Sequence, residues 1–480
     1  MKYHLVTLGC AKNVADSEGI GALLRGAGYR PACSDEADVL IVNTCGFLQA
    51  ARHESVETLN ALGRGKRPGQ LLVAAGCLSE RLGAALQHEV PGLDGIIGTQ
   101  QWSRITEFLE RLQDRRVEER WRAFVMPADA RNHVVDSVGR RAEGHSAYLK
   151  IADGCSAPCA FCTIPSFKGL QRSKRPGAVI AEAQQLVAQG VEEIVLVAQD
   201  LTAYGHDWGE STGQGLPTLL EQLCTEVEAP EGRLWFRLMY AYPGHATERL
   251  IEVMAHFSQI LPYLDMPLQH GDRSVLKRMR RPHNMQRQAR FFEQLRAALP
   301  DITLRTTFIV GHPGEGEAEF ERLLEFMSAM QFDKVGIFQY SSEPGTISTA
   351  MADQVPAAVK QVRWERAMAH QQPIALARQE AQLGRVLDVL VEGWDPERGV
   401  ALARSYREAP EVDGYVLVTP RRGEQYEPGD RLTVRIGAAM PYDLEARTVK
   451  RHPRLPRQSR PEPAGGPAGL IGLGTIPVAP

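Results

Sequence analysis

Three cysteines lie within eight residues of one another, in the segment Cys155-Ser-Ala-Pro-Cys159-Ala-Phe-Cys162. The chain contains 8 cysteines in 480 residues, so this fixed spacing is very improbable by chance. Thiolates so close together bind soft metal centres, either zinc or an iron–sulfur cluster. A structural zinc site needs four ligands, and no fourth cysteine or histidine follows at zinc-finger spacing. Three thiolates on a cluster of four irons would leave one iron open to a substrate or cofactor.

Three further cysteines each follow a run of aliphatic residues that predicts a β-strand. The runs are Tyr3–Gly9, Val39–Thr44 and Leu71–Gly76, and the cysteines are Cys10, Cys45 and Cys77. Helical patterns at Ala15–Ala27 and Gln49–Gly63 separate them, which predicts a doubly wound parallel sheet. Ligands of such sheets bind beyond the carboxyl ends of the strands, so we expect the three thiols to converge there. The alternative is three unrelated buried thiols, which are common in protein cores.

Six more strand patterns alternate with helical patterns in the middle of the chain. They are Ala147–Ala152, Glu193–Gln199, Leu234–Ala241, Tyr263–Leu268, Thr303–Val310 and Lys334–Tyr340. Six units are too few for a closed eight-stranded barrel, so they predict an open, partial (β/α)6 barrel with room for a large substrate. The cysteine triplet follows the first of these strands, on the face where barrel enzymes bind their ligands.

Other candidate ligand-binding residues lie on the same face. Asp200 follows the second strand, and its carboxylate either binds a cofactor amino group or caps the next turn. Thr307 lies on the fifth strand, and Gly311 follows it in a turn where the backbone could approach a ligand closely. The alternative for this turn is an ordinary strand-to-helix connection with Glu315 at the helix N-terminus. His270 ends the fourth strand and contacts substrate, cofactor or only the barrel rim.

The last hundred residues predict a long helix at Ala357–Leu383 and then a small OB-like β-barrel. Its strand patterns are Val386–Val391, Val400–Ser405, Gly414–Thr419 and Arg431–Ile436. Such barrels often bind nucleic acid through a basic face, yet residues 379–450 contain 13 acidic and 10 basic residues. A mildly acidic barrel suits a basic protein better, while a local basic patch stays compatible with the sequence.

The composition limits where the protein works. The net charge of −3 gives no global basic field for nucleic acid, and no apolar run approaches the ~20 residues that span a membrane. Cysteines in a chain without a signal peptide favour the reducing cytoplasm, where they act as ligands rather than disulfides. We expect domains at 1–125, 145–375 and 376–450, a linker at 126–144 and a disordered tail at 451–480.

The cysteine triplet resembles the signature of the radical S-adenosylmethionine (SAM) enzymes, C-x3-C-x2-C with an aromatic or bulky residue before the last cysteine, here Phe161. The resemblance implies that Cys155, Cys159 and Cys162 bind a 4Fe-4S cluster whose open iron binds SAM. It also implies that the SAM contacts include Phe161, Asp200, Thr307 and Gly311. These enzymes cleave SAM to a 5′-deoxyadenosyl radical, with an electron from a reductase or flavodoxin-type donor.

The first third of the chain narrows this resemblance to the radical SAM methylthiotransferases. The matching motifs are Gly9-Cys10-Ala11-Lys12-Asn13, Asn43-Thr44-Cys45-Gly46 and Gly76-Cys77-Leu78. They imply a second, auxiliary 4Fe-4S cluster on Cys10, Cys45 and Cys77 that supplies or relays sulfur. The C-terminal barrel is similar to a TRAM domain. The chain departs from the family at His312, where an apolar residue is usual.

Within this family, the segments Ile164–Gly169 and Asp265–His270 are similar to the branch that modifies a ribosomal protein. That branch adds a methylthio group to the β-carbon of an aspartate in small-subunit ribosomal protein S-twelve, with a second SAM as methyl donor. One alternative is the same chemistry on isopentenyl-adenosine in transfer RNA. Another is a non-enzymatic iron–sulfur carrier or ribosome-associated factor, which is disfavoured because simple carriers use four thiolates per cluster.

Overall fold

The structure is a computed structural model that describes residues 1–114, 123–126, 139–142, 144–209, 215–230 and 232–454. It consists of two parallel sheets and a closed barrel, in that order along the chain. Within these residues, no helix combines the length and the hydropathy needed to cross a membrane. Most of the expected linker and residues 455–480 of the expected tail lie outside the described residues.

The first sheet has six parallel strands in the order β2-β1-β3-β4-β5-β6. Its strands are β1 (Lys2–Thr7), β2 (Arg30–Pro31), β3 (Val39–Thr44), β4 (Leu71–Gly76), β5 (Gly95–Gly98) and β6 (Phe124–Val125). Its helices are α1 (Ala11–Gly26), α2 (Gln49–Gly65), α3 (Cys77–Leu82), α4 (Leu86–Glu89) and α5 (Ile105–Gln113). The sequence predicted β1, β3 and β4. It missed β2, β5 and β6 because two to four residues are too few to show a period.

Helices cover both faces of this sheet, which confirms the doubly wound prediction. Ile20 of α1 and Phe108 of α5 belong to the core on one face, and Leu59 of α2 and Leu86 of α4 belong to the core on the other. The predicted start of α1 at Ala15 is wrong. The helix begins four residues earlier because Cys10 occupies its N-cap position, with extended backbone.

The second sheet has six main parallel strands in the order β14-β13-β12-β11-β10-β7 and does not close, which confirms the partial barrel. Its strands and those of a short ribbon are β7 (Ser146–Lys150), β8 (Ala152–Asp153), β9 (Arg172–Ser173), β10 (Glu193–Val197), β11 (Trp235–Leu238), β12 (Ile260–Asp265), β13 (Thr303–Val310) and β14 (Lys334–Gln339). Its helices are α6 (Ile164–Lys168), α7 (Pro176–Ala188), α8 (Gly215–Glu226), α9 (Glu248–His256), α10 (Arg273–Arg278), α11 (Met285–Ala298) and α12 (Glu317–Met330).

Alternate residues of each barrel strand point to opposite faces of the sheet. Ile194 and Leu196 of β10 pack against the helices, and Val195 and Val197 pack on the inner face. The inner face is covered by the other two parts of the chain. Ala11 and Ala15 of α1 lie on it, and so do Leu390 and Ala409 from the C-terminal barrel.

The C-terminal part is a helix, α13 (Ala357–Glu380), followed by a closed five-stranded barrel in the order β15-β16-β17-β19-β18. The strands are β15 (Val386–Asp395), β16 (Val400–Arg404), β17 (Val416–Thr419), β18 (Arg431–Ala439) and β19 (Leu444–Arg451). The sequence missed β19 because charged and polar residues separate its three apolar residues, Leu444, Ala446 and Val449. The expected disordered tail begins too early, since Arg454 still donates to Asp430 at 2.6 Å.

A loop at residues 405–413 ties this barrel to the inner face of the central sheet. Glu193 accepts hydrogen bonds from Arg237 at 2.7 Å and from Arg404 at 2.5 Å, and all three side chains are buried. Arg237 also donates to the carbonyl oxygens of Ser405 at 3.0 Å and Tyr406 at 2.6 Å. Burial disfavours the Glu193 carboxylate, but Arg404 and Arg237 outweigh it and lower its pKa to about 2.

We therefore expect Glu193→Ala to destabilise the protein by about 3–5 kcal/mol, because it leaves two buried guanidinium groups without a counter-charge. The loss is largest above pH 4.5, the ordinary pKa of the carboxyl, and shrinks as the pH falls toward the folded pKa of about 2. Urea unfolding as a function of pH measures it. The matched control is Glu321→Ala, which removes an exposed pair with Arg366 and should cost at most about 1 kcal/mol. Equal unfolding midpoints for Glu193→Ala and the unmodified chain at pH 7 would contradict the expectation.

Candidate metal centres

The cysteine triplet lies in a loop that folds back on the segment after α6. Gly154 has φ +74°, and a Cβ there would lie 2.2 Å from the carbonyl oxygen of Leu170, so only glycine fits directly before Cys155. The Cys155 amide donates to the carbonyl of Gly169 at 3.0 Å. The Cys162 sulfur accepts from the Ile164 amide at 3.4 Å. Backbone contacts thus hold the loop in shape.

Burial raises the pKa of the Cys155 thiol to about 11 and that of Cys162 to about 12, and the neighbouring thiols add to both shifts. The three thiols therefore lie within electrostatic reach of one another. Arg281 donates from Nη1 to the Cys159 sulfur at 3.6 Å. Its guanidinium also lies over the Tyr242 ring, 4.3 Å from the centroid. A fixed positive charge thus adjoins the triplet.

Cys10, Cys45 and Cys77 all lie at the carboxyl edge of the first sheet, as the sequence predicted. Burial raises the pKa of Cys45 to about 12 and that of Cys77 to about 11, and the charge of Cys10 adds to both shifts. Asn13 joins the three loops. Its amide donates to the carbonyls of Leu8 at 2.7 Å and Thr44 at 3.1 Å, and its Oδ1 lies 3.7 Å from the Cys77 sulfur.

Both thiol groups suit an iron–sulfur cluster by their chemistry, because soft thiolates in a buried, water-poor setting are its usual ligands. No group of three or more ligand side chains in the described ranges surrounds a point where one metal ion could sit. The ligand assignments of Cys155, Cys159, Cys162, Cys10, Cys45 and Cys77 therefore stay predictions.

The segment Tyr240–Tyr242, directly after β11, lies between the two thiol groups. The Lys12 ammonium, two residues after Cys10, lies 3.2 Å from the centroid of the Tyr240 ring. The Arg281 guanidinium, which donates to the Cys159 sulfur, lies 4.3 Å from the centroid of the Tyr242 ring. Residues two positions apart are separated by at most about 7 Å of extended chain. A residue beside each candidate centre therefore contacts this segment, which the sequence did not single out.

A buried ionic network links the first sheet to the barrel beside Cys77. Lys150 pairs with Asp16 of α1 and, at 3.2 Å, with Asp153. Lys168, from the helix after the triplet, pairs with Asp153 at 3.1 Å and with Asp16 at 3.6 Å. Burial disfavours the Lys168 ammonium, but the charges of Asp153, Cys77 and Asp16 raise its pKa above the usual value. The two ammonium groups of this network are thus balanced by its two carboxylates.

Asp200 caps its own turn. Its Oδ1 accepts from the Thr202 hydroxyl at 2.8 Å and the Ala203 amide at 3.1 Å, and its Oδ2 lies 2.8 Å from Nδ1 of His245. The capping alternative from the sequence is thus realised. A role of Asp200 in binding SAM stays a prediction.

The other predicted SAM contacts are distributed along the same edge. Phe161 packs with Met279 and with Ile309 of β13. Thr307 shares the strand face of Ile309, opposite the core residue Phe308. The Gly311 amide donates to Glu315 at 2.9 Å, and the Lys360 side chain lies against the Gly311 backbone, so other groups already occupy this turn. The structure brings Phe161 and Thr307 to one face; their contact with SAM stays a prediction.

His312, the departure from the family pattern, is fully buried. Burial lowers its pKa to about 4, so the imidazole is neutral at pH 7. Its Nε2 lies 2.8 Å from the Ser348 hydroxyl. A neutral ring of this kind can take the place of an apolar side chain. His270 is also buried, and its Nε2 lies 3.2 Å from Glu315, so it belongs to the packing of the barrel rim.

Three residues at strand ends have buried polar atoms for which the described part of the chain offers no hydrogen-bond partner. These are Oε1 of Gln199, Oε1 of Gln269 and the hydroxyl of Tyr340. They follow β10, β12 and β14, on the edge where parallel sheets bind ligands. Such orphan atoms fit a polar cofactor like SAM. Their position within four residues of the carboxyl end of a strand was the signal in the sequence that could have found them.

Three family models match successive parts of the chain. They are "Uncharacterized protein family UPF0004" at residues 2–98, "Radical SAM superfamily" at 149–327 and "TRAM domain" at 383–449. Two relatives are named ribosomal protein uS12 methylthiotransferase RimO. That of Chloroflexus aurantiacus is 47% identical and covers 92% of this chain and 99% of its own. That of a Roseiflexus species is 46% identical and covers 94% and 98%.

Among solved structures, the chain is similar to the radical SAM methyltransferase TsrM of Kitasatospora setae with cobalamin and a 4Fe-4S cluster bound. The TM-score is 0.55 at 13% identity, over 72% of this chain and 76% of that one. At this identity the likeness shows the fold alone.

Fold, thiol sites and relatives together define a radical SAM methylthiotransferase, an enzyme class that works with SAM and 4Fe-4S chemistry. More narrowly, the chain belongs to the family of the ribosomal protein uS12 methylthiotransferases RimO. The fold class, enzyme class and cofactors expected from the sequence are thereby confirmed. The alternative of a non-enzymatic iron–sulfur carrier loses its support.

The contact of Arg281 with Cys159 generates a prediction. Arg281→Gln removes a positive charge beside one ligand sulfur, so we expect a more negative reduction potential for the cluster on the triplet. Arg281→Lys keeps the charge and is the matched control. A redox titration followed by electron paramagnetic resonance, in a chain whose Cys10, Cys45 and Cys77 are replaced by alanine, measures this centre alone. Equal potentials for the glutamine and lysine variants would show that the charge of Arg281 is without influence.

Proposed function

We propose that this enzyme adds a methylthio group to the β-carbon of an aspartate in ribosomal protein S-twelve, using two 4Fe-4S clusters. The observation that supports the proposal is that residues beside both three-thiol groups contact one short segment: Lys12, next to Cys10, lies over Tyr240, and Arg281, at the Cys159 sulfur, lies over Tyr242. Methylthiolation needs a radical source and a sulfur source within reach of one carbon atom. The β C–H bond is unactivated, and no protein side chain is basic enough to remove its proton, so hydrogen abstraction by a radical is required.

The two groups of residues have separate tasks in this proposal. Cys155, Cys159 and Cys162 hold the first cluster, and Cys10, Cys45 and Cys77 hold the second. When bound, the first supplies the electron that cleaves SAM and the second supplies or relays the sulfur. The methyl group comes from a second SAM.

The surrounding side chains prepare the space between the two groups. Arg281 and Tyr242 adjoin the first group, and the compensated pairs of Lys168 fix the loop after the triplet against the first sheet. Phe161, Thr307 and the orphan amide of Gln269 line the edge where SAM binds in the proposal. These contacts hold the reacting groups in a defined geometry, from which much of the catalytic advantage of such enzymes comes.

The names of the relatives favour the ribosomal protein over transfer RNA as substrate. One structural feature keeps the nucleic-acid alternative open to test. Arg435 of β18 lies directly opposite Arg447 of β19, and both are exposed. Like charges opposite each other are unfavourable in a sheet unless an anion lies nearby.

Ribosomes, flavodoxin-type electron donors and reduced thiols all occur in the cytoplasm, where we place the reaction.

The first prediction of this proposal concerns the substrate. Ribosomal protein S-twelve from cells that lack the gene should be lighter by the mass of one methylthio group on an aspartate, as measured by mass spectrometry of the intact protein and its peptides. Reintroducing the gene should restore the mass. An unchanged S-twelve together with the loss of a methylthio group from transfer RNA would assign the enzyme to the alternative substrate.

The second prediction separates the two thiol groups. Cys159→Ala should abolish formation of 5′-deoxyadenosine from SAM under reducing conditions, because the radical source loses a ligand. Cys77→Ala should retain SAM cleavage and lose methylthio transfer, because only the sulfur site is damaged. Chromatographic assay of 5′-deoxyadenosine and mass spectrometry of S-twelve measure the two outcomes. The exposed Cys33 is the matched control, since Cys33→Ala should change neither. Undiminished cleavage by Cys159→Ala would overturn the assignment of the triplet.

A further inference from the structure

We propose that Lys12 binds the side-chain carboxylate of the substrate aspartate and thereby selects it; this inference rests on the function proposed above. Lys12 lies in the first turn of α1, two residues after Cys10. The residue is largely buried, with 7% of its surface exposed. A buried ammonium group ordinarily needs a carboxylate partner, because its removal from water costs several kcal/mol.

No carboxylate within the described ranges forms an ion pair with Lys12. Asp16, one helical turn further along α1, and Asp265, which accepts from the Tyr240 amide, are engaged elsewhere. Asp16 pairs with Lys150 and Lys168, and Asp265 pairs with Arg305 at 2.8 Å. The contact that the Lys12 ammonium does make is with the ring of Tyr240, 3.2 Å from its centroid. A cation–π contact stabilises an ammonium only in part and leaves its hydrogen-bond donors free for an incoming anion.

The Tyr240 ring is held under the ammonium at a cost. Tyr240 has φ +66°, an uncommon conformation for a bulky side chain. Its amide donates to Asp265 at 3.1 Å, and its carbonyl accepts from the Leu201 amide at 3.0 Å. Strained residues persist where the surrounding structure fixes them, and they concentrate at functional sites. Here the strained backbone of Tyr240 holds its ring against the Lys12 ammonium, which has no carboxylate partner in the described ranges.

The location of Lys12 matches the chemistry of the proposed substrate. The reacting β-carbon of an aspartate is bonded directly to its carboxylate. A carboxylate bound by Lys12 therefore places that carbon beside Cys10, at the sulfur site. Two residues along the same segment, Tyr242 lies under the guanidinium of Arg281, which contacts the Cys159 sulfur of the radical site. A neutral substrate such as an adenine ring or an asparagine would leave the buried ammonium unpaired, which disfavours its binding.

The test compares the binding of two proteins to the cluster-loaded, full-length enzyme under anaerobic conditions. One is ribosomal protein S-twelve, and the other is S-twelve with its target aspartate replaced by asparagine. We expect the unmodified enzyme to bind the aspartate form about 30-fold more tightly, as measured by fluorescence anisotropy of labelled S-twelve. Lys12→Met should bind both forms equally and weakly, and Lys12→Arg should keep part of the preference. Lys450→Met, which removes an exposed lysine, should keep all of it.

The unfolding temperature of Lys12→Met shows whether the substitution acts on substrate binding or only on the stability of the fold. If Lys12 binds the substrate, Lys12→Met removes a charge in a largely buried residue that no carboxylate in the described ranges balances, and its unfolding temperature should be equal to or higher than that of the unmodified enzyme. SAM cleavage without substrate should also be retained. A lower unfolding temperature together with lost cleavage would instead assign Lys12 to the packing of the first sheet, and the proposal would fall.

The remaining outcomes separate this proposal from the function on which it rests. If the unmodified enzyme modifies S-twelve and Lys12→Met still prefers the aspartate form, only the role of Lys12 is refuted. If Lys12→Met raises the SAM concentration needed for half-maximal cleavage and leaves the preference intact, Lys12 binds SAM instead. If the unmodified enzyme binds and modifies transfer RNA but not S-twelve, the proposed function fails and the role of Lys12 fails with it.

Discussion

An open barrel of six strands has an inner face that it cannot cover by itself, and the rest of the structure depends on how that face is covered. The loop at residues 405–413 covers the amino end, where Glu193 begins β10 and accepts from Arg404. The first turns of α1 cover the carboxyl end through Lys12 over Tyr240 and Asp16 on Lys150. Since parallel sheets bind ligands at the carboxyl end, the N-terminal sheet lies on the reacting side and the C-terminal barrel is anchored on the opposite side.

Much of this arrangement follows from patterns in the sequence. The alternation of apolar runs and helical periods predicted the two parallel sheets. Three strand patterns that are each followed by a cysteine predicted that these cysteines lie at one edge of the first sheet. Short spacing in sequence is enough to predict the triplet Cys155–Cys162. The network of Lys150, Asp16, Lys168 and Asp153 could not be predicted, because its members are up to 152 positions apart and meet only when two sheets pack together.

Edge strands and loops were the weakest part of the prediction for a related reason. A strand of two residues such as β2 has no period, and β19 alternates apolar residues with charges that look like a surface segment. The loop at 405–413 reads as a polar turn, yet Arg407 is fully buried and pairs with Asp333 at 3.1 Å. Its charges are satisfied by residues of another part of the chain, which no local pattern records.

Buried charged side chains that hold the structure together are balanced by opposite charges, whereas the one assigned to substrate binding is not. Glu193 is balanced by two arginines, and Lys168 by two aspartates, so these groups hold parts of the chain together. Lys12 has no such balance among the described residues and stands at the meeting point of the two thiol groups.

Strained backbone conformations, like unbalanced charges, concentrate at the proposed functional site. Of the five non-glycine residues with positive φ in the described ranges, Tyr240, Gln269 and Arg280 lie on the ligand side of the barrel. One supports Lys12, one presents an orphan amide oxygen, and one directly precedes Arg281 at the Cys159 sulfur. Each such conformation costs on the order of 1–3 kcal/mol and persists only in a rigid surrounding. Asp413 of the loop at residues 405–413 pairs with Arg305 at 3.4 Å, Arg305 pairs with Asp265 at 2.8 Å, and Asp265 accepts from the Tyr240 amide. The anchoring of the C-terminal barrel therefore contributes to the geometry of the site through this chain of contacts.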